Sequence, residues 1–321
     1  MSQLPLSANA RARTPTTPQA ATEQAPAIPV QPAPVERDAV DGAQIHAKVE
    51  VDDAPGLPGN SRAARVGTGA LAAIALAFLA LPVLALFARA VLGGALASIP
   101  IAATLDALIL SLVASGFTVL VVVAFGSPLA WVLARRSFRG KALAETLVDL
   151  PIVLPPTVAG LALLLAFGRR GVAGPALEAA GISIPFTTLA VVVAQVFVAA
   201  PFYIRATRAG FQAVDRDLEE AAAVDGASGA QVIRRITVPL AAPALGAGLV
   251  LAWARALGEF GATIMFAGNV AGRTQTLPLL VYSEFQGSLD AAVAAAAVLV
   301  VAAVGVLVAV RLTHWRSVLP G

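Results

Sequence analysis

Beyond residue 65 the chain reads as long apolar windows separated by short intervals in which the charges gather. A helix needs about 20 consecutive apolar residues to cross the hydrocarbon core of a bilayer. Windows at about 66–88, 107–134, 150–168, 183–205, 240–266 and 290–311 meet that length, and only 240–266 carries charges well inside it, Arg255 and Glu259. The pattern predicts an all-α, polytopic membrane protein with six transmembrane helices over 62–316, followed by a short C-terminal tail at 317–321. Residues 1–61 mix Pro, Ala, Thr and Gln with scattered charges and keep no helical or strand period, which predicts a disordered tail.

One interval is both polar and helix-prone. In 215–239, Asp217 and Glu220 have the spacing of a capping box, and residues 218–224 are rich in strong helix formers. Gly226 is placed to end that helix, because glycine enters the left-handed conformation of a helix C-terminus without a Cβ clash. Ser228 and Gln231 repeat the capping-box spacing, Val232, Ile233 and Ile236 form an apolar stripe beside Arg234 and Arg235, and Pro239 is expected to end or kink the unit. Two short helices hinged at a glycine are too polar for lipid. They suit either a docking lever at the membrane surface or an ordinary solvated loop.

The prolines mark irregular spans. Pro151, Pro155 and Pro156 break the start of the third, Pro201 lies late in the fourth, and Pro239 and Pro243 open the fifth. Membrane helices tolerate proline where protein or water satisfies the freed carbonyls, so three within six residues point to a pathway or a moving element as readily as to routine kinking.

Composition agrees with the bilayer assignment: 58% of residues are hydrophobic and 13% charged, against about 25% charged in a soluble domain. The net charge of +3 matters less than its placement. With the N-terminus inside, the inner flanks carry Arg62, Arg65, Arg135, Arg136, Arg139, Lys141, Arg205, Arg208, Arg216, Arg234, Arg235, Arg311 and Arg316, and the outer flanks only Arg89, Arg169, Arg170 and Arg273. Both termini, the tail and residues 215–239 are therefore expected in the cytoplasm. No signal peptide is expected, since the first 60 residues lack a basic start followed by an apolar run.

Several chemistries are excluded. Without cysteine there is no disulfide framework or thiolate site, and His46 and His314 have no metal-like neighbours. Lys48 and Lys141 are the only lysines and neither lies in a G-x-x-x-x-G-K-[ST] context, so energy must come from a partner. No acid–base pair, nucleophile dyad or metal cluster appears in the spans, and neither an enzyme activity, a cofactor nor a nucleic-acid partner is expected.

Arg255 and Glu259 cost about 2.5–3.5 kcal/mol each, as a low figure, if left unpaired in hydrocarbon. At i and i+4 they fit a structural ion pair, or a face along a path on which Arg255 attracts an anion. Gly258 and Gly261 would admit a close neighbour. On the outer face, Arg169, Arg170 and Arg273 are either solvated loop charges or contacts for an external protein.

Glu220-Ala221-Ala222, preceded by Glu219 and followed by Gly226, Ile236 and Pro239, resembles the EAA motif of ABC importer permeases, with Val238 where that pattern expects Leu. The run from Arg255 to Thr263, RALGEFGAT, with Gly268-Asn269 and the later Gly272 to Pro278, GRTQTLP, is similar to the molybdate permease subunits of that class. So are the run from Pro151 to Gly160 and the FGRRG of 167–171. Sulfate permeases usually have Tyr for Phe260 and lack Thr-Gln-Thr-Leu-Pro, whereas Val270-Ala271 departs from the molybdate pattern's more frequent Ile-Pro.

The resemblance covers about 66–316 and implies the type I ABC importer permease fold in a prokaryotic inner membrane, surrounded by lipid. It further implies a homodimer around one path, cytoplasmic ABC ATPase subunits on the 215–239 lever, and an external or periplasmic molybdate-binding protein. Glu219, Glu220, Ala221, Ala222, Gly226, Ile236 and Pro239 become the ATPase-coupling candidates, Arg255, Glu259 and Thr263 the path or gate candidates, and Arg169, Arg170 and Arg273 the binding-protein contacts. Import of molybdate or tungstate is the leading expectation. A sulfate or thiosulfate permease stands beside it, and a passive anion channel or scaffold, needing no hinged lever, stands in a different class.

Overall fold

The charge-free windows fold as helices in a computed structural model that describes residues 62–318, with side chains described from 66 to 308. The tail expected at 1–61, with His46 and Lys48, and residues 319–321 lie outside the described residues, as do the side chains of Arg62, Arg65, Arg311, His314 and Arg316. Helix α1 (Arg62–Val91) leads through a short 3₁₀ turn to α2 (Ile101–Arg135), which begins directly after Pro100. Two shorter helices follow, α3 (Lys141–Val153) and α4 (Pro156–Phe167), and then the small α5 (Gly174–Ala179). Helix α6 (Thr188–Ala213) starts where the Thr187 hydroxyl accepts the Ala190 amide. The polar interval forms α7 (Arg216–Val224) and α8 (Gly229–Val232). Beyond it lie α9 (Val238–Leu257), α10 (Gly261–Phe266), α11 (Leu277–Gly287) and α12 (Leu289–Val318).

Among the described residues, five helices are long and apolar enough to cross a membrane, with α3 and α4 as a sixth if that pair is one span. Two expected spans are not straight. The window 150–168 turns by 120° between α3 and α4, because Pro155 and Pro156 remove two amides and hold Leu154 extended. The window 240–266 stops at Leu257 and resumes at Gly261, so the last part of that apolar run is a separate short helix.

Helices α2, α6 and α9 pack together through small residues, the usual means of close approach in lipid, where burial of apolar surface gives little drive. Gly126 lies against Tyr203 and Ile204, and Gly248 against Ala206. A Cβ built at Gly210 would stand 2.5 Å from that of Ala244. A polar seam runs beside these contacts: Thr118 donates to Gln195 Oε1 at 2.9 Å, and the Trp253 indole N–H donates to Ser115 Oγ at 3.1 Å. The Ser111 hydroxyl accepts the Leu277 amide, fixing α11 to α2. Arg89 pairs with Asp290 to join α1 to α12, while Arg208 with Glu145 and Arg205 with Asp149 join α6 to α3.

Candidate functional site: a polar lever and a broken span

The lever is built by local chemistry. The carboxylate of Asp215 accepts the Asp217 amide and caps α7, so the start lies earlier than a box of Asp217 and Glu220 would place it. Capping by Asp215 leaves Glu220 exposed, with no hydrogen bond or ion pair among the described residues. Past Val224 the Gly226 amide bonds Ala223 O and the Ala227 amide bonds Ala222 O, a Schellman motif that needs the φ of +90° at Gly226. Ser228 and Gln231 then form the reciprocal capping box that their spacing predicts.

Pro239 does not end this unit. The chain widens into a π-helical turn at Ile233–Thr237 and continues into α9, with Pro239 in its first turn, so Gly229–Leu257 is one continuous helical run. The wide turn relieves the clash a proline ring makes with the carbonyl four residues back. Between α7 and α8 lies a cleft of about 340 Å³, lined by Ala222, Asp225, Gly226, Gln231, Arg235 and Ile236 among others. Glu220, Ala221, Gly226 and Pro239 are exposed, and Ala222 and Ile236 half-buried.

Glu219 instead turns into the protein. Its Oε1 accepts from Arg135 Nη2 at 2.8 Å and from the Thr237 hydroxyl at 2.6 Å, and the same Arg135 nitrogen donates to the Val214 carbonyl. Nothing in the sequence singles out Arg135 beyond its place in a charged flank, or Thr237 at all. Their spacing of 84 and 18 residues from Glu219 gives no local signal.

The break after α9 brings Arg255 and Glu259 together, with Thr263 in the short helix that follows. The pair is not carried on one helical face, because the helix ends at Leu257 and Glu259 stands in the gap before α10. Glu259 is fully buried; its Oε1 accepts the Ala262 amide at 2.8 Å and its Oε2 lies 2.8 Å from Arg255 Nη1. That second contact is close enough for an ion pair but lacks the alignment of a hydrogen bond. Thr263 is buried, and its hydroxyl has no partner among the described residues. Helix α4 locks against this segment: a Cβ at Gly261 would meet Pro156, and one at Gly160 would meet the Ala262 carbonyl, each at 2.6 Å. Gly258 has no such neighbour.

Arg169, Arg170 and Arg273 do not form one group. Arg169 pairs with Glu178 at 2.8 Å, and that carboxylate raises the guanidinium pKa above its ordinary value. Arg170 and Arg273 are exposed and make no ion pair among the described residues. The Thr-Gln-Thr-Leu-Pro run has structural work: Thr274 accepts the Val270 amide, and Gln275 and Asn269 both donate to Ser283.

Residues 126–315 match the family of binding-protein-dependent transport system inner membrane components. The molybdenum transport system permease protein ModB of Mycobacterium tuberculosis is 44% identical over 233 residues, covering 73% of this chain and 88% of that one. The probable transport system permease protein NifC of Clostridium pasteurianum is 42% identical over 209 residues, 64% of this chain and 72% of that one. A crystal structure of a bacterial ABC transporter involved in import of the acidic polysaccharide alginate shares the fold, with a TM-score of 0.56 over 80% of this chain and 100% of that chain, at 18% identity. The chain belongs to the binding-protein-dependent transport system inner membrane component family. It is a multi-pass inner-membrane permease subunit of a binding-protein-dependent transport system, not an enzyme.

Proposed function

We propose that this permease imports molybdate, with tungstate as the neighbouring substrate, and that two copies form a path driven by separate cytoplasmic ATPase subunits. The observation carrying the substrate is the 44% identity to ModB over 88% of that protein. The sulfate transport system permease protein CysW of Synechococcus elongatus supports the second reading, at 41% identity over 59% of its length. Residues 215–239 dock the ATPase, because exposed Glu220 and the Gly226 hinge present a polar, bent surface that lipid would reject. Both termini and the lever lie inside. In operation, closure of the ATPase dimer displaces the levers and rocks the two bundles so that the path opens outward to a loaded external binding protein, and release reverses it. Arg170 and Arg273 are free to meet that protein, whereas Arg169 is taken by Glu178. Arg255, Glu259 and Thr263 form the gate region.

Reconstitution in liposomes with the ATPase and the binding protein tests this. Molybdate is expected to stimulate hydrolysis and uptake, tungstate similarly, and sulfate about tenfold less, a difference of about 1.4 kcal/mol in coupling. Stimulation by sulfate alone transfers the chain to the second reading. Uptake without ATPase excludes both.

A further inference from the structure

Three elements end at one carboxylate oxygen. Arg135 is the last residue of α2, Glu219 lies in the first turn of α7, and Thr237 closes the π-helical turn at the base of α9. Thr237 is fully buried, and the Arg135 and Glu219 side chains are 9% and 19% exposed. Hydrogen bonds to an ionised group are roughly twice as strong as neutral ones. Breaking such a pair on one side leaves a charge with little solvent to receive it. The lever therefore cannot swing away from α2 and α9 without giving up both bonds or carrying those helices with it.

The alternative, that these are ordinary stitches of a loop, does not account for three elements converging on one largely buried oxygen. The widened ladder over Ile233–Thr237 accommodates Pro239, and it ends on the residue whose hydroxyl makes this bond. Thr237 has no exposed surface with which to touch an ATPase, so its hydroxyl acts only within the chain.

We infer that Arg135, Glu219 and Thr237 form the mechanical joint that passes lever movement to α2 and α9, with Glu219 Oε1 as the pivot. They are positioning residues. The inference rests on the lever reading above and names the route by which that lever acts.

Thr237→Val keeps the side-chain shape and removes only the hydroxyl. The test uses the whole transporter in liposomes, with its binding protein loaded in turn with molybdate, tungstate or sulfate and the strongest stimulator retained. T237V is expected to hold the ATPase in wild-type amount and keep hydrolysis without binding protein within about twofold, while the stimulated increment falls about tenfold. Thr237→Ser restores the increment. On a Glu219→Ala background T237V adds less than about twofold, because alanine removes the one oxygen through which both act. Full stimulation in T237V, or losses from the two variants that multiply, overturns the inference. Should T237V not accumulate, Thr237→Ala and T237S are compared, and an equal response of those two overturns it. Failure of the lever reading has a different signature, since ATPase binding would then be indifferent to Gly226.

Discussion

Glu259 uses its two oxygens for two tasks, one holding the first turn of α10 and the other facing Arg255. Glutamine keeps an acceptor for the amide but no charge for the guanidinium. Glu259→Gln is therefore expected to destabilise the purified protein by about 2–3 kcal/mol, below the range for a wholly buried pair because Arg255 is 30% exposed. Thermal unfolding in detergent measures this, and the double variant R255Q/E259Q should lie closer to wild type than E259Q alone. Gly210 makes a second prediction by a different mechanism. Gly210→Ala places a methyl in contact with Ala244 and should cost about 1–3 kcal/mol by overpacking, with Ala244→Gly restoring it. These residues were unequally legible. The charges inside a span drew attention to Arg255 and Glu259, and the separation of four residues suggested their pairing. That Glu259 would cap a new helix could not be read, because the signal for the break is the fit of Gly261 against Pro156, a contact between segments about a hundred residues apart.

At the scale of elements, the lever follows closely from local rules. The left-handed Gly226 and the Ser228–Gln231 box depend on neighbours within a few positions, and their spacing predicts them. Pro239 does not follow those rules, because its outcome depended on a widened turn upstream. Spans were legible as windows without charge, but their straightness was not: proline announces a defect without stating whether the helix bends, as between α3 and α4, or continues, as at Pro239. The lever reading carries its own prediction. A branched side chain at a φ of +90° is strained by about 1–2 kcal/mol, so Gly226→Val should deform the hinge while α6 and α9 remain in the membrane. Co-purification of the ATPase is expected to fall severalfold with permease abundance unchanged, and undiminished ATPase binding would remove the lever from the mechanism.

For the whole molecule, the distribution of charge predicts which end faces the cytoplasm. The chain contains no cysteine, so a single Ala223→Cys on the exposed face of α7 reports orientation without background. A membrane-impermeant maleimide should label it in inverted vesicles and not in intact spheroplasts. The reverse result would place the lever outside and dismantle the coupling scheme.

The joint between α10 and α4 also bears on how the chain is made. Six residues cannot insert on their own into a hydrocarbon layer about 30 Å thick, and α10 is seated on the Pro156 and Gly160 surface of α4 and on α6. That surface lies earlier in the chain, so the ribosome delivers the mould before the cast. A circular permutant that synthesised residues 258–266 first would have to park a bare backbone in lipid until its partner arrived, and biogenesis, rather than final stability, is where such a rearrangement would fail.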